Sequence, residues 1–203
     1  MIIDAHSHLW LKQDAVVYGQ PIQTLPSNGS RSIFFGEEVQ MLPPFMIDGI
    51  NSAEIFLSNM DYAQVGGAVV VQEVIDGNQN SYLAEVQRKY ANRFCCLGMA
   101  DSIQDVDRIM EIGLKGISIP GHRLLGTSLL NKMPLFKYLE EKGLILSMCL
   151  ADNEVQISEM AEVIEECPNL KVAIGHFGMA NTASFKSQVM LARKSRHVRI
   201  ESG

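Results

Sequence analysis

The chain has 203 residues, 47% of them hydrophobic and 20% charged, with a formal net charge of -6. That length supports one substantial core, and the composition is that of an ordinary globular protein. A mild acidic excess without Lys or Arg runs argues against nucleic acid or an anionic membrane as partner, and no apolar stretch approaches the roughly 20 residues that span a bilayer.

Short apolar runs bounded by turn signals recur along the chain: 2–6, 67–72, 94–100, 114–119, 144–150, 170–176 and 197–202. They are nearly continuous rather than alternating, as expected of parallel strands covered on both faces. Between them lie amphipathic segments of helix length at 80–93, 102–113, 133–143 and 153–167. Ser102 with Asp105, and Asn153 with Gln156, read as helix starts, while Gly113 and Gly143 read as stops. The series predicts an α/β fold of the TIM (β/α)8 type, a single domain over residues 1–203 that stops after its seventh strand. A Rossmann sheet would need a Gly-rich turn after the first strand, and His-Ser-His-Leu-Trp stands there instead.

Residues 10–50 carry Pro21, Pro26, Pro43, Pro44 and the apolar pair Phe34-Phe35, and read as a long irregular loop. A loop of that length is usually functional, and the loop after strand 1 of a barrel emerges on the face where barrel active sites lie. Phe34 and Phe35 could serve a substrate or a homo-oligomeric contact.

Chemistry concentrates at the strand ends. His6 and His8 are two apart on the first strand, so their side chains share a face with Asp4, and Ser7 points the other way. Two imidazoles on one face can ligate a divalent ion or polarise one oxygen. Asp4, lying deeper, is expected to orient an imidazole. His176 ends the sixth strand, and converging strand ends would bring it to face His6 and His8. Other strand-end candidates are Gln72 and Glu73, His122 and Arg123, with Arg123 suited to a substrate carboxylate and Arg31 of the long loop as a second cation. Asp101 and Asp152 are read as helix caps. His197 falls at the opposite end of its strand, where a structural or solvated role is expected. Cys95, Cys96, Cys149 and Cys167 sit inside apolar segments, as buried reduced thiols do. With no basic-then-apolar leader pattern, the expectation is a cytoplasmic protein.

The stretch Ile3-Asp4-Ala5-His6-Ser7-His8 resembles the I-D-x-H-x-H opening of the amidohydrolase superfamily. Val69-Val70-Val71-Gln72 through Asp76, Asn80 and Tyr82-Leu83, then Gly98-Met99-Ala100-Asp101, resembles its amidohydrolase-related branch, which includes sugar lactonases and the 2-pyrone-4,6-dicarboxylate hydrolase type. Ile174-Gly175-His176-Phe177-Gly178 resembles that branch's D-H-x-G segment, with Gly175 where Asp is common. The resemblance implies a hydrolase of a lactone or similar ester, small-molecule in substrate, with His6, His8 and His176 as catalytic or metal-binding residues and Arg123, His122, Arg31 and Gln72 against the substrate. It implies one divalent ion, zinc, on the three histidines, and equally admits a metal-free site, because the fifth strand offers Cys149 where a histidine is usual. The general base it implies is an aspartate on an eighth strand beyond Gly203. The alternatives are a metal-dependent decarboxylase of an unsaturated or aromatic acid, and an inactive barrel that serves as a binding module.

Overall fold

In the computed structural model, residues 1–13, 15–124, 126–178 and 183–201 are described, without the side chain of Phe177. Seven predicted apolar runs become the barrel wall. The strands are β1 (Ile2–Ser7), then, beyond an insertion, β7 (Val65–Val70), β8 (Phe94–Cys96), β9 (Gly98–Met99), β10 (Gly116–Ile119), β11 (Ile145–Met148), β12 (Lys171–Ile174) and β13 (Val198–Ile200). Ser202, the last residue of the predicted seventh strand, lies outside the described residues. All pairings in this wall are parallel, in the order β1-β7-β8 and β9-β10-β11-β12-β13.

Leu97 alone separates β8 from β9, and it does not open the wall. Its N–H donates to Val70 O at 2.8 Å, and its carbonyl accepts from Gln72 Nε2 at 3.2 Å. Ser118 of β10 reaches across to the end of β7, donating to Gln72 O at 2.7 Å and accepting from Gln72 N at 3.0 Å. β1 and β13 are the outer strands, each paired on one side only among the described residues.

Helices α1 (Ala53–Tyr62), α2 (Asn80–Lys89), α3 (Ile103–Glu111), α4 (Met133–Glu141), α5 (Glu154–Glu166) and α6 (Phe185–Leu191) alternate with the strands. Ser102 caps α3, accepting from Asp105 N at 3.1 Å, and Asn153 caps α5, accepting from Gln156 N at 2.7 Å. Asp101 and Asp152 therefore do not cap: Asp101 pairs with Lys132, and Asp152 accepts from Ser184 N. A cap must sit immediately before the first helical residue, and each aspartate is one position too early. Gly113 and Gly143 follow the helix ends at φ of 85° and 65°, a region open to glycine. The core lies between wall and helices, with Phe136, Leu139, Leu146 and Met148 all at 0% exposure. None of the described helices is long and apolar enough to cross a membrane.

The segment read as an irregular loop carries five short strands. β2 (Val16–Val17) and β3 (Gln20–Pro21) form a hairpin, and β4 (Gln23–Leu25), β5 (Asn28–Phe34) and β6 (Glu37–Gln40) form an antiparallel sheet. Two of the tight turns pair an aromatic residue with glycine at positive φ: Tyr18 (49°) with Gly19 (78°), and Phe35 (51°) with Gly36 (82°). These values match two-residue hairpin turns, where the first position normally goes to Asn, Asp or Gly. Here Tyr18 and Phe35 stack on each other, ring centroids 6.2 Å apart at 16°, which offsets the unfavourable backbone. Short, mostly polar strands around unusual turn residues give no clear periodic signal, so the pattern was unreadable locally.

Replacing Ser118 with Ala leaves the Gln72 N–H and C=O without partners in a buried place. A loss of about 1–3 kcal/mol is expected in urea unfolding, with far-UV circular dichroism of the native state unchanged.

Candidate functional site

The strand ends enclose a cavity of about 820 Å³ on the C-terminal side of the wall, with Asp4, His6, His8, Glu73, Asp76, His122, Arg123, Cys149 and His176 among its lining. The alternation of β1 does what parity predicts. Ser7 points away and donates to Val69 O at 2.9 Å, while His6 and His8 face the cavity with their Nε2 atoms 3.0 Å apart. His176 follows β12 in a short turn at φ 59°, a left-handed conformation unusual for a non-glycine residue, and its ring packs on His6 with centroids 4.6 Å apart.

Each ring of the close pair is held from behind. His6 Nδ1 lies 2.6 Å from Glu201 Oε1, and His8 Nδ1 lies 2.7 Å from Asp76 Oδ2. Carboxylates can only accept, so both Nδ1 atoms carry protons, and the contact between the two Nε2 atoms needs one more. When the shared cation is a proton, the pair carries one positive charge. His8 is its natural seat: burial opposes the charge, but the Asp76 hydrogen bond and the charges of Asp76, Glu73 and Glu201 outweigh it and raise the pKa above 6.5. His176 is pushed the other way, by burial and then by the neighbouring His6.

Asp76 and Glu73 belong to a turn (Val74–Asp76) that closes on itself, Glu73 accepting from Ile75 N at 2.9 Å and Asp76 from Glu73 N at 3.1 Å. Gln13 of the insertion donates to the second Asp76 oxygen at 3.3 Å. Arg123, in a turn after β10, is ion-paired through Nε and Nη2 with Glu73, and His122 Nε2 stands 3.9 Å from the same carboxylate.

Several expectations need correction. Asp4 does not orient an imidazole: its carboxylate accepts the backbone N–H of His6 at 3.1 Å. Gln72 is not against the large cavity. It is buried below the histidines, bonded to Asn80 Oδ1, Leu97 O and Gln79 N, where it holds the start of α2. Arg31 is bound to Glu38 and Gln40 across β5 and β6 and does not line the cavity. The three histidines do meet, His6 and His8 through their Nε2 atoms and His176 against the His6 ring, and among the described residues no group of three or more His, Cys, Asp or Glu is disposed to hold an ion. Cys149 is a thiol, pushed up to about 11 by burial and then by the charges of Glu73 and Glu201. Glu201, Asp76 and Glu73, which do most to shape the site, were not foreseen in these roles. All three stand at or just beyond a strand end, the one local signal that could have marked them.

A divalent ion fits the close pair. Its two Nε2 atoms converge on one point, and each Nδ1 is hydrogen-bonded to a carboxylate, the arrangement that orients imidazoles on a metal. His6 and His8 are the residues that would hold it.

A family model described as Amidohydrolase matches residues 3–203. No curated protein sequence matches. Among solved structures, a probable 2-pyrone-4,6-dicarboxylic acid hydrolase from Acinetobacter baumannii, with citric acid bound, aligns with 99% of this chain and 69% of its own at 15% identity and TM-score 0.69. An amidohydrolase from Burkholderia multivorans with bound zinc aligns with 100% of this chain and 69% of its own, at 14% identity and TM-score 0.65. An uncharacterised TIM-barrel protein from Bordetella bronchiseptica aligns with 74% of this chain and 59% of its own, at 17% identity and TM-score 0.62. At these identities the likeness is one of fold, and the chain spans 59–69% of the lengths of these three structures.

Two outcomes follow from the protonation states. In Asp76→Asn, burial dominates His8, so its imidazole should titrate below 6.5 instead of above it, as read from the ring proton in NMR. Because the wild-type folded pKa is raised, charged His8 stabilises the fold fully below pH 6.5, and that contribution is lost as pH rises through the folded value. Separately, iodoacetamide at pH 8 should leave Cys149 unmodified in the native protein, where about one thiol in a thousand is ionised, and label it in urea. Mass spectrometry reads the difference.

Proposed function

The chain belongs to the amidohydrolase family, and on that footing we propose that it is a hydrolase that opens a lactone or similar cyclic ester by histidine-assisted attack of water. The observation that carries this reading is the cluster of three imidazoles in one cavity, His6 and His8 each backed by a carboxylate with their Nε2 atoms 3.0 Å apart and His176 packed on His6, the pKa of His8 pushed up and that of His176 down. Groups pushed apart in this way can serve as acid and base at the same pH.

In this scheme the lactone carbonyl oxygen accepts a hydrogen bond from the N–H that lies between the two Nε2 atoms without taking its proton, and the negative charge developing on that oxygen faces the His6–His8 cation. Neutral His176 accepts a proton from water as the water oxygen bonds to the carbonyl carbon. The ring C–O bond then breaks, the departing oxygen takes the proton back from His176, and a hydroxy acid leaves. Glu201 and Asp76 keep both rings fixed in the tautomers these steps require. A divalent ion on His6 and His8 would supply Lewis-acid polarisation of the same carbonyl oxygen. The fold likeness to a probable pyrone dicarboxylic acid hydrolase supports an ester bond in a ring as the target.

A pH-indicator screen over lactones tests the proposal. His6→Ala and His176→Ala should each lower kcat by about 10²–10⁴-fold, and unchanged turnover in both variants would sink the reading. The kcat/KM profile should be bell-shaped with its top spanning pH 6.5: activity falls on the acid side as His176 protonates below that value, and on the alkaline side as His8 loses its proton above it.

A further inference from the structure

We propose that Glu73 determines the substrate class of the cavity: by clamping Arg123 it neutralises the cationic side of the wall, so that the site selects a lactone bearing no carboxylate group. The inference rests on the lactone-hydrolase reading and narrows it.

Among the described residues lining the cavity, Arg123 is the sole Lys or Arg, against the carboxylates of Asp4, Glu73 and Asp76. A guanidinium in such a wall is what would ordinarily receive a substrate carboxylate, two N–H groups to two oxygens. That geometry is already taken. Arg123 Nε donates to Glu73 Oε1 and Nη2 donates to Oε2 at 3.2 Å, with both side chains mostly buried, at 20% and 15% exposure.

Glu73 cannot swing away cheaply. Its Oε2 also accepts Ile75 N at 2.9 Å, and its own N–H is held by Asp76, so releasing Arg123 would undo the turn that anchors His8. From the other flank Tyr18, at the tip of the β2–β3 hairpin, helps to hold the Arg123 pKa up. His122 does not provide a replacement cation, because burial and then the Arg123 charge push its pKa down. An entering carboxylate would meet a guanidinium whose Nε–Nη2 edge is filled and whose charge Glu73 already balances, beside the carboxylates of Asp4, Glu73 and Asp76 in a partly desolvated place, where repulsion discriminates strongly. An uncharged ring meets no such penalty, and Trp10, Leu42 and Ile75 supply apolar wall for its carbon skeleton.

The test compares kcat/KM at neutral pH for δ-valerolactone, which is uncharged, and 2-pyrone-4,6-dicarboxylate, a doubly charged lactone. Wild-type protein should favour the uncharged lactone by at least about 10-fold, and Glu73→Gln should move the ratio toward the dicarboxylate by about 10-fold or more. A wild-type preference for the dicarboxylate overturns the proposal, as does a folded Glu73→Gln protein with an unmoved ratio. If that variant does not fold, the wild-type ratio decides alone. If neither lactone is turned over, the hydrolase reading fails separately, and calorimetric titration with pyridine-2,4-dicarboxylate and its uncharged diamide decides the charge question. Tighter wild-type binding of the dicarboxylate would then overturn the assignment.

Discussion

Glu201, His6, His8 and Asp76 form one line of hydrogen bonds across the mouth of the barrel, with contacts of 2.6, 3.0 and 2.7 Å in that order. A carboxylate at each end fixes the outward nitrogen of each ring, so the inward nitrogens must meet and share a proton or a cation. Charge-assisted bonds of this kind are among the stronger polar interactions in a protein, and their buried setting strengthens them further. The line also joins β13 to β1, strands whose backbones do not pair among the described residues, and to the turn that follows β7. Glycine at 175 makes room for it: a Cβ there would lie 2.8 Å from Glu201 Oε1 and 3.4 Å from His6 Cε1. Any side chain at that position would press on the carboxylate that holds His6.

The insertion between β1 and α1 is fastened to the same line rather than draped over it. Asn51 Nδ2 donates to His8 O at 2.7 Å, and the Trp10 and Asn51 backbones bond to each other at 3.0 and 3.1 Å. Trp10 Nε1 reaches Gly49 O, and Gln13 reaches Asp76. One wall of the cavity is therefore made of insertion residues whose polar atoms are already committed. What those residues offer a ligand is largely apolar surface, from Trp10, Met41 and Leu42. The polar face is supplied by the strand ends, where a barrel concentrates its chemistry.

Charge is distributed with the same economy of contacts. Arg123 and Glu73 neutralise each other, and the Glu201 and Asp76 carboxylates are balanced in part by the shared imidazole proton. Burial and then the neighbouring His6 push the His176 pKa down. The opposed shifts of two nearby imidazoles thus follow from where the carboxylates stand, since His8 has Asp76 bonded to it and His176 has His6 against its ring.

The sequence by itself determined the strand series, the caps at Ser102 and Asn153, and the shared face of His6 and His8, because continuous apolar runs, capping side chains and strand parity are local properties. It also brought His176 toward that pair, since parallel strand ends in a barrel converge. What only the tertiary structure decided is which carboxylate meets which imidazole or guanidinium. Glu201 is 195 positions from His6, Asp76 is 68 from His8, and Glu73 is 50 from Arg123. Those encounters depend on the curvature and register of the whole wall, which no window of neighbouring residues encodes. The same holds for Arg31 and Gln72, plausible substrate contacts in one dimension, which the folded chain ties to Glu38 and Asn80 because those partners are the nearest polar groups once β5, β6 and α2 are in place.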